Sequence, residues 1–223
     1  METFKKYAVI VAGGSGTRMK REQPKQFIEL AGKPILMHTL SAFNTDDINI
    51  ILVLPKDQIS VWNELIMKYL FDVTHKVVAG GDTRFQSVKN GLDFIEEEEG
   101  LVAIHDGVRP LIELEIIEES FRTAEKYGNA ITSLPLNDSI RSVDGIENRL
   151  EDRSKFRLIQ TPQTFQLNLI KEAFQQNYET SFTDDASVLE KRGHTINLIQ
   201  GSFQNIKITT PEDLIIAESF LSI

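Results

Sequence analysis

The chain has 223 residues, 41% of them hydrophobic, which is enough to bury a substantial core in one domain. Its net charge of −9 excludes a general nucleic-acid binder, whose phosphate contacts need surplus lysine and arginine. With no cysteine and only four histidines, none at metal-binding helical spacing, disulfides, thiolate chemistry and cysteine-held zinc are excluded and a histidine-built zinc site is disfavoured.

Residues 7–11 form a short, β-branched-rich apolar run that predicts a buried strand. It ends in Ala12-Gly13-Gly14-Ser15-Gly16, with Arg18 and Lys25 close behind. Glycines past a strand end let backbone N–H groups approach a ligand, and the two cations supply countercharge for phosphate. The string is not a dinucleotide fingerprint, because Met19 stands where the third glycine is due, and no Gly-Lys-Ser/Thr closes it as a Walker loop. A tight turn would explain the glycines alone. Arg18 and the Pro24-Lys25-Gln26 segment favour a triphosphate cradle, since Pro24 predicts a loop able to hold Lys25 over the same pocket.

Strand-like and helix-like stretches then alternate. Residues 48–54 read as a strand, and residues 57–70 as a helix with Ile59, Trp62, Leu65, Ile66 and Leu70 near one face. Residues 76–79 lead into Gly80-Gly81-Asp82-Thr83-Arg84, and residues 84–95 are again helical, with Ser87 one turn in. A helix cap at Asp82 would explain one polar group but not the glycine pair. Residues 101–104 form a buried strand ending in His105-Asp106-Gly107-Val108-Arg109-Pro110. Asp106 is placed to bind substrate hydroxyls or a phosphate-carrying Mg²⁺, with a simple Asx turn as the rival reading. Residues 116–127 are helical, stopped by Gly128. The pattern predicts an α/β, Rossmann-like fold with a mainly parallel twisted sheet covered by helices on both faces.

The rhythm breaks at Pro135. Residues 139–143, a Val143-Asp144-Gly145-Ile146 turn and residues 156–160 predict an antiparallel ribbon, so residues 136–160 read as a protruding β-arm of a single domain spanning 1–223. Helices are expected at 167–178 and 184–192, strands at 196–199 and 206–208, and a last helix starting at Thr210-Pro211-Glu212-Asp213. Thr183-Asp184-Asp185-Ala186-Ser187 is a capping sequence, and capping alone is one complete explanation of it. Strand alternation aims Lys207 opposite to Ile206 and Ile208, and a surface lysine on an edge strand is the alternative. No basic-then-apolar leader and no membrane-length apolar run is visible, so a cytoplasmic protein without a membrane partner is expected.

In the order AGGSGTRM, PKQF, GGDTRFQSV, HDGVRP, TPQTF, TDDAS and NIKITTPEDL, these strings resemble the 2-C-methyl-D-erythritol 4-phosphate cytidylyltransferases nearly end to end. Ribitol-5-phosphate cytidylyltransferases share PKQF and parts of the later motifs. Sugar-1-phosphate nucleotidyltransferases share only the first motif, and a catalytically silent nucleotide-binding homologue is a third alternative. The resemblance implies transfer of CMP from CTP to methylerythritol 4-phosphate, with Mg²⁺ bound mainly through the CTP phosphates. It implies that Arg18 and Lys25 stabilise charge in the transition state, and that Ala12, Gly13, Gly14 and Gly16 cradle CTP. Gly81, Asp82 and Ser87 would recognise the cytosine and ribose side; Asp106, Arg109, Thr183 and Lys207 would line the acceptor site. Arg153 matches an arm arginine that reaches the neighbouring subunit's site, implying a homodimer, with Thr161 in the same contribution. Ser139 stands where many members have threonine, and Gly107-Val108 replaces a frequent Ala-Ala, a change expected to be sterically small.

Overall fold

The computed structural model describes residues 4–13 and 23–221, so Gly14, Gly16 and Arg18 of the expected cradle lie outside the described residues. The chain begins with β1 (Lys6–Val11), passes one 3-10 turn (Lys25–Phe27) and the small hairpin β2 (Glu29–Leu30) and β3 (Lys33–Pro34), and enters α1 (Ile35–Ala42). Then β4 (Ile48–Leu54), α2 (Ile59–Tyr69), β5 (Lys76–Ala79), α3 (Arg84–Asp93), β6 (Leu101–Asp106) and α4 (Leu114–Tyr127) alternate. Next come β7 (Asn129–Pro135), the hairpin β8 (Ile140–Asp144) and β9 (Glu147–Glu151), and the long β10 (Arg157–Gln166). α5 (Leu167–Ala173), α6 (Asp185–Glu190), β11 (Leu198–Gln200) and α7 (Pro211–Leu221) follow.

Seven strands form one sheet in the order β11-β7-β10-β6-β1-β4-β5. β1 pairs in parallel with both β4 and β6, and β10 runs antiparallel to β6 and β7. Strand alternation divides the core between the two faces. Ala8, Ile10, Leu52, Leu54 and Ala103 meet α1, α2 and α4 through Leu36, Leu40, Trp62, Ile117 and Phe121. Tyr7, Val9, Val11, Ile51, Val53 and Ile104 meet α3, α5 and α6 through Val88, Leu92, Ile170 and Leu189. Helices therefore cover both faces, as the apolar strands predict. The chain leaves β1 toward β4 on one side and returns through α3 to β6 on the other. This reversal opens a crevice at the carboxyl ends of β1 and β6, where α/β sheets bind ligands.

Several sequence expectations need correction. Leu70 is not on the buried face of α2: it ends that helix at φ 50° and is 86% exposed. The return strand of the arm is Glu147–Glu151 rather than 156–160, because Asp144 and Glu147 close a tight hairpin around Gly145 at φ 58°. Residues 157–160 instead open β10, a main-sheet strand whose first half pairs with β7. β7 itself was not anticipated from the sequence. Residues 206–208 form no strand; Ile208 N donates to Val108 O at 2.9 Å, while Ile206 and Ile208 pack with Ile28, Leu30 and Val108. The alternation that aims Lys207 the other way survives without a ladder.

Candidate active site

Val11 and Asp106 are register partners at the ends of β1 and β6. Ala12 and Gly13, just past β1, therefore border the Asp106 carboxylate in one cleft, together with Lys25, Gln26, Arg84 and Lys207. The Lys25 turn is held in place by its neighbours. Buried Gln26 donates from Nε2 to Ala12 O at 2.9 Å, and Phe27 stacks on Trp62 with centroids 6.1 Å apart. Pro24, at φ −54° and ψ 132°, starts the turn, as its fixed ring predicts.

Three cations surround Asp106. Lys207 Nζ lies 2.9 Å and Arg109 Nε 3.5 Å from Oδ2, and Arg84 Nε lies 3.7 Å from Oδ1. Burial alone would raise this carboxyl, but Arg84, Lys207 and Arg109 hold it well below the usual carboxylate range, so it is an anion. Arg109 also donates from Nη1 to Asn205 O at 2.7 Å, binding the loop that carries Lys207. On the other side, Thr161 Oγ1 accepts from Asp106 N at 3.0 Å.

His105, fully buried, faces away from the cleft. Its Nε2 is 3.0 Å from Arg109 O, an acceptor only, so Nε2 carries the proton. Nδ1 then accepts from the Thr161 hydroxyl at 3.1 Å. Burial pushes this imidazole down to about 4, and it is a neutral brace rather than an acid.

Arg84 and Asp185 were not singled out as site residues by the sequence reading, although both lie in quoted motifs. Arg84 opens α3 and makes a bidentate pair with Asp185, Nη1–Oδ1 at 2.8 Å and Nη2–Oδ2 at 2.6 Å. Burial works against the guanidinium's charge, but Asp185 and Asp106 hold it firmly cationic. A signal was present: a cation in the first turn of a helix opposes the macrodipole and calls for a tertiary partner. Capping explains only half of the TDDAS motif. Asp184 caps α6, accepting from Ser187 N at 2.9 Å, which leaves Asp185 for Arg84. Gln163 ties β10 to the same helix, donating to Asp184 Oδ2 at 2.9 Å and accepting from Ala186 N at 2.8 Å.

The remaining expected residues lie around this centre rather than in it. Gly81, Asp82 and Ser87 sit on the β5–α3 turn, where Gly81 N donates to Ser87 Oγ at 3.1 Å. Thr83, not Asp82, caps α3, accepting from Gln86 N at 3.0 Å, and Asp82 is left exposed. Thr183 is exposed beside the α6 cap, and Ser139 is exposed at the base of the arm. Arg153 lies on the arm, donating to Asn137 O, and is not among the residues lining the cleft of its own chain. Arg84 and Asp185 neutralise each other, which leaves Lys25, Arg109 and Lys207 against Asp106 alone, so the centre favours anionic ligands. A metal held by Asp106 does not fit. Cations occupy its surroundings, and among the described residues no group of three His, Cys, Asp or Glu side chains could hold an ion. No helix among the described residues is long and apolar enough to cross a membrane.

The family model described as IspD, 2-C-methyl-D-erythritol 4-phosphate cytidylyltransferase, matches residues 7–223. The chain belongs to this family. It is therefore an enzyme, a nucleotidyltransferase, and the resemblance read from its motifs is the correct one. The 2-C-methyl-D-erythritol 4-phosphate cytidylyltransferase of Porphyromonas gingivalis is 49% identical over 219 residues, covering 98% of each chain. That of Bacteroides thetaiotaomicron is 44% identical over 98% of this chain and 100% of its own. Among solved structures, 4-diphosphocytidyl-2C-methyl-D-erythritol synthase of Anaerococcus prevotii superposes with a TM-score of 0.83 at 30% identity over 99% of both chains. The cytidylyltransferase of Thermus thermophilus gives 0.77 at 27% identity over 96% of this chain and 98% of its own. The sheet with its antiparallel β10 and its projecting β8–β9 hairpin is thus the fold of these cytidylyltransferases.

Proposed function

We propose that the cleft between β1 and β6 transfers CMP from CTP to 2-C-methyl-D-erythritol 4-phosphate, supplying an isoprenoid precursor, with the residues in the following roles. The β1 turn (Ala12, Gly13, Gly14 and Gly16) cradles the triphosphate, and Lys25 and Arg18 neutralise charge on it. Gly81, Asp82 and Ser87 take the cytosine and ribose side. Asp106, Arg109, Thr183 and Lys207 receive the acceptor, with Ser139, Thr161 and the arm. The observation that carries this reading is the meeting of Lys25, Asp106 and Lys207 in one cleft, in a chain of this family.

An acceptor phosphate oxygen attacks the α-phosphorus. The new P–O bond forms as the bond to the β-phosphate oxygen breaks, and pyrophosphate leaves with the electron pair. Both reactants are anions, so the protein's task is positioning and charge neutralisation. Lys207 and Arg109 hold Asp106 so that it accepts from acceptor hydroxyls while Lys25 faces the phosphates. Mg²⁺ would enter bound mainly through the CTP phosphates and would offset their charge, with no cage of protein carboxylates among the described residues to hold it.

The chain is one domain, and its arm, residues 136–156, built on the β8–β9 hairpin, joins two copies in a cytoplasmic homodimer. Ile146 is 99% exposed, Val143 71% and Leu150 67%, and an isolated hairpin with such a surface gains stability from a second copy. Arg153 then reaches the partner's acceptor site. Pyrophosphate release from CTP and Mg²⁺ tests the reading, with methylerythritol 4-phosphate and ribitol 5-phosphate in parallel. Release with the first alone supports it. Preference for ribitol phosphate would overturn the acceptor, and silence with both would overturn the activity.

A further inference from the structure

Asp106 presents its two oxygens differently. Oδ2 is occupied by Lys207 at 2.9 Å and approached by Arg109 at 3.5 Å. Oδ1 faces the Nε edge of Arg84 at 3.7 Å, beyond hydrogen-bond length. A shift of about 1 Å would let Arg84 close on it. What prevents the shift is the pair on the far side of the guanidinium. Fully buried Asp185 takes both terminal nitrogens at 2.6 and 2.8 Å, and two parallel N–H···O bonds fix the plane as well as the position. Asp184 is no substitute, because Ser187 N and Gln163 Nε2 already occupy its oxygens.

We propose that Asp185 is a positioning residue for the acceptor: by restraining Arg84, it keeps Asp106 Oδ1 open to a hydroxyl of the polyol phosphate. This rests on the reading of Asp106 as an acceptor-site residue. With Asp185 neutralised, Asp106 is the carboxylate left within ion-pair distance of Arg84, since Asp184 acts on it only from farther off. A guanidinium–carboxylate bond is stronger than one from a neutral hydroxyl, so the cation displaces the substrate.

Steady-state kinetics of the full chain, varying CTP and methylerythritol 4-phosphate separately, tests this with Asp106→Asn, Asp185→Asn and the double variant Arg84→Gln/Asp185→Asn. Thermal unfolding checks that each is folded. Asp185→Asn should raise KM for the polyol phosphate about tenfold and leave KM for CTP within about twofold. The double variant should regain most of that loss, because the closing cation is gone. This rescue is not expected if Asp185 merely supports the fold. An unchanged polyol KM in folded Asp185→Asn overturns the proposal. So does a parallel loss in both substrates, or a double variant no better than the single one. Where Asp185→Asn does not fold, the double variant, which leaves neither buried charge unpaired, decides. A polyol KM near wild type supports the proposal, and about a tenfold rise overturns it. An unchanged polyol KM in Asp106→Asn overturns the underlying site reading instead, and so separates the two failures.

Discussion

Gln26 Nε2 donates to the carbonyl of Ala12 at 2.9 Å, joining the turn that carries Lys25 to the end of β1. The same amide donates to Gln58 Oε1, and Gln26 is buried. The β1 turn and the Lys25 turn are therefore fastened to each other through a buried side chain. Gln26→Leu should cost about 1–3 kcal/mol of stability through the orphaned carbonyl. It should also lower kcat by up to about 100-fold through the displaced Lys25. Denaturant unfolding and turnover check both, and a wild-type kcat would detach Gln26 from the placement of Lys25.

Lys25→Ala should cut turnover by about two to three orders of magnitude while the fold persists, since the side chain is partly exposed at the cleft. Arg18→Ala is expected to do the same. Circular dichroism and pyrophosphate release check this together, and near-normal turnover removes the residue from the mechanism.

Arg153→Ala should weaken binding of the polyol phosphate more than that of CTP. If its guanidinium acts in the partner's site, mixing this variant with Lys25→Ala chains restores activity. Each mixed dimer then contains one site with both residues intact. Failure of the mixture to exceed either parent would place Arg153 in its own chain's arm.

Gly107 is less replaceable than the sequence suggested. A Cβ there would lie 2.7 Å from Ala12 Cβ and 3.1 Å from Leu36 Cδ1. Gly107→Ala must push the end of β1 away from β6, an overpacking that costs about 1–3 kcal/mol. Urea titration reads the loss, and unchanged stability would mean that the β1 turn gives way freely.

Buried His105, held down to about 4 against an ordinary 6.5, makes stability pH-dependent with a definite sign. The unfolded chain takes up the proton first, so stability is complete above about pH 6.5. It falls as pH drops to about 4, by about 3 kcal/mol in all. His38 and His75, also lowered by burial, add in the same direction. Denaturant midpoints at pH 7.5 and 5 should therefore differ less for His105→Asn than for the wild type. Equal differences would show that His105 is not the titrating group.

Most of the frame was legible because it rests on local signals. Short apolar runs bounded by Gly, Pro and Asp made β1, β4, β5 and β6 readable to within two residues at each end, and Gly128 and Pro211 mark helix ends through their own backbone preferences. The cleft's charges were legible where residue type sufficed, as with Lys25 past a strand end, Asp106 closing another and Lys207 between two apolar neighbours, which the fold brings to one cleft. The strand β7 and the split between arm and β10 were not, because pairing partners are distant in sequence and both candidate strands carry similar alternation.

By itself, the sequence determined the alternation of strand and helix, the acidic balance, the lack of cysteine chemistry and the ordered motifs that mark the family. Tertiary structure alone decided which charges meet. Arg84 and Asp185 are 101 residues apart, and Asp106 and Lys207 also 101. Only the register of β6 beside β1 and the packing of α3 and α6 on one face of the sheet bring them within ion-pair distance. A charge states what it can bind; the fold determines which opposite charge has already claimed it.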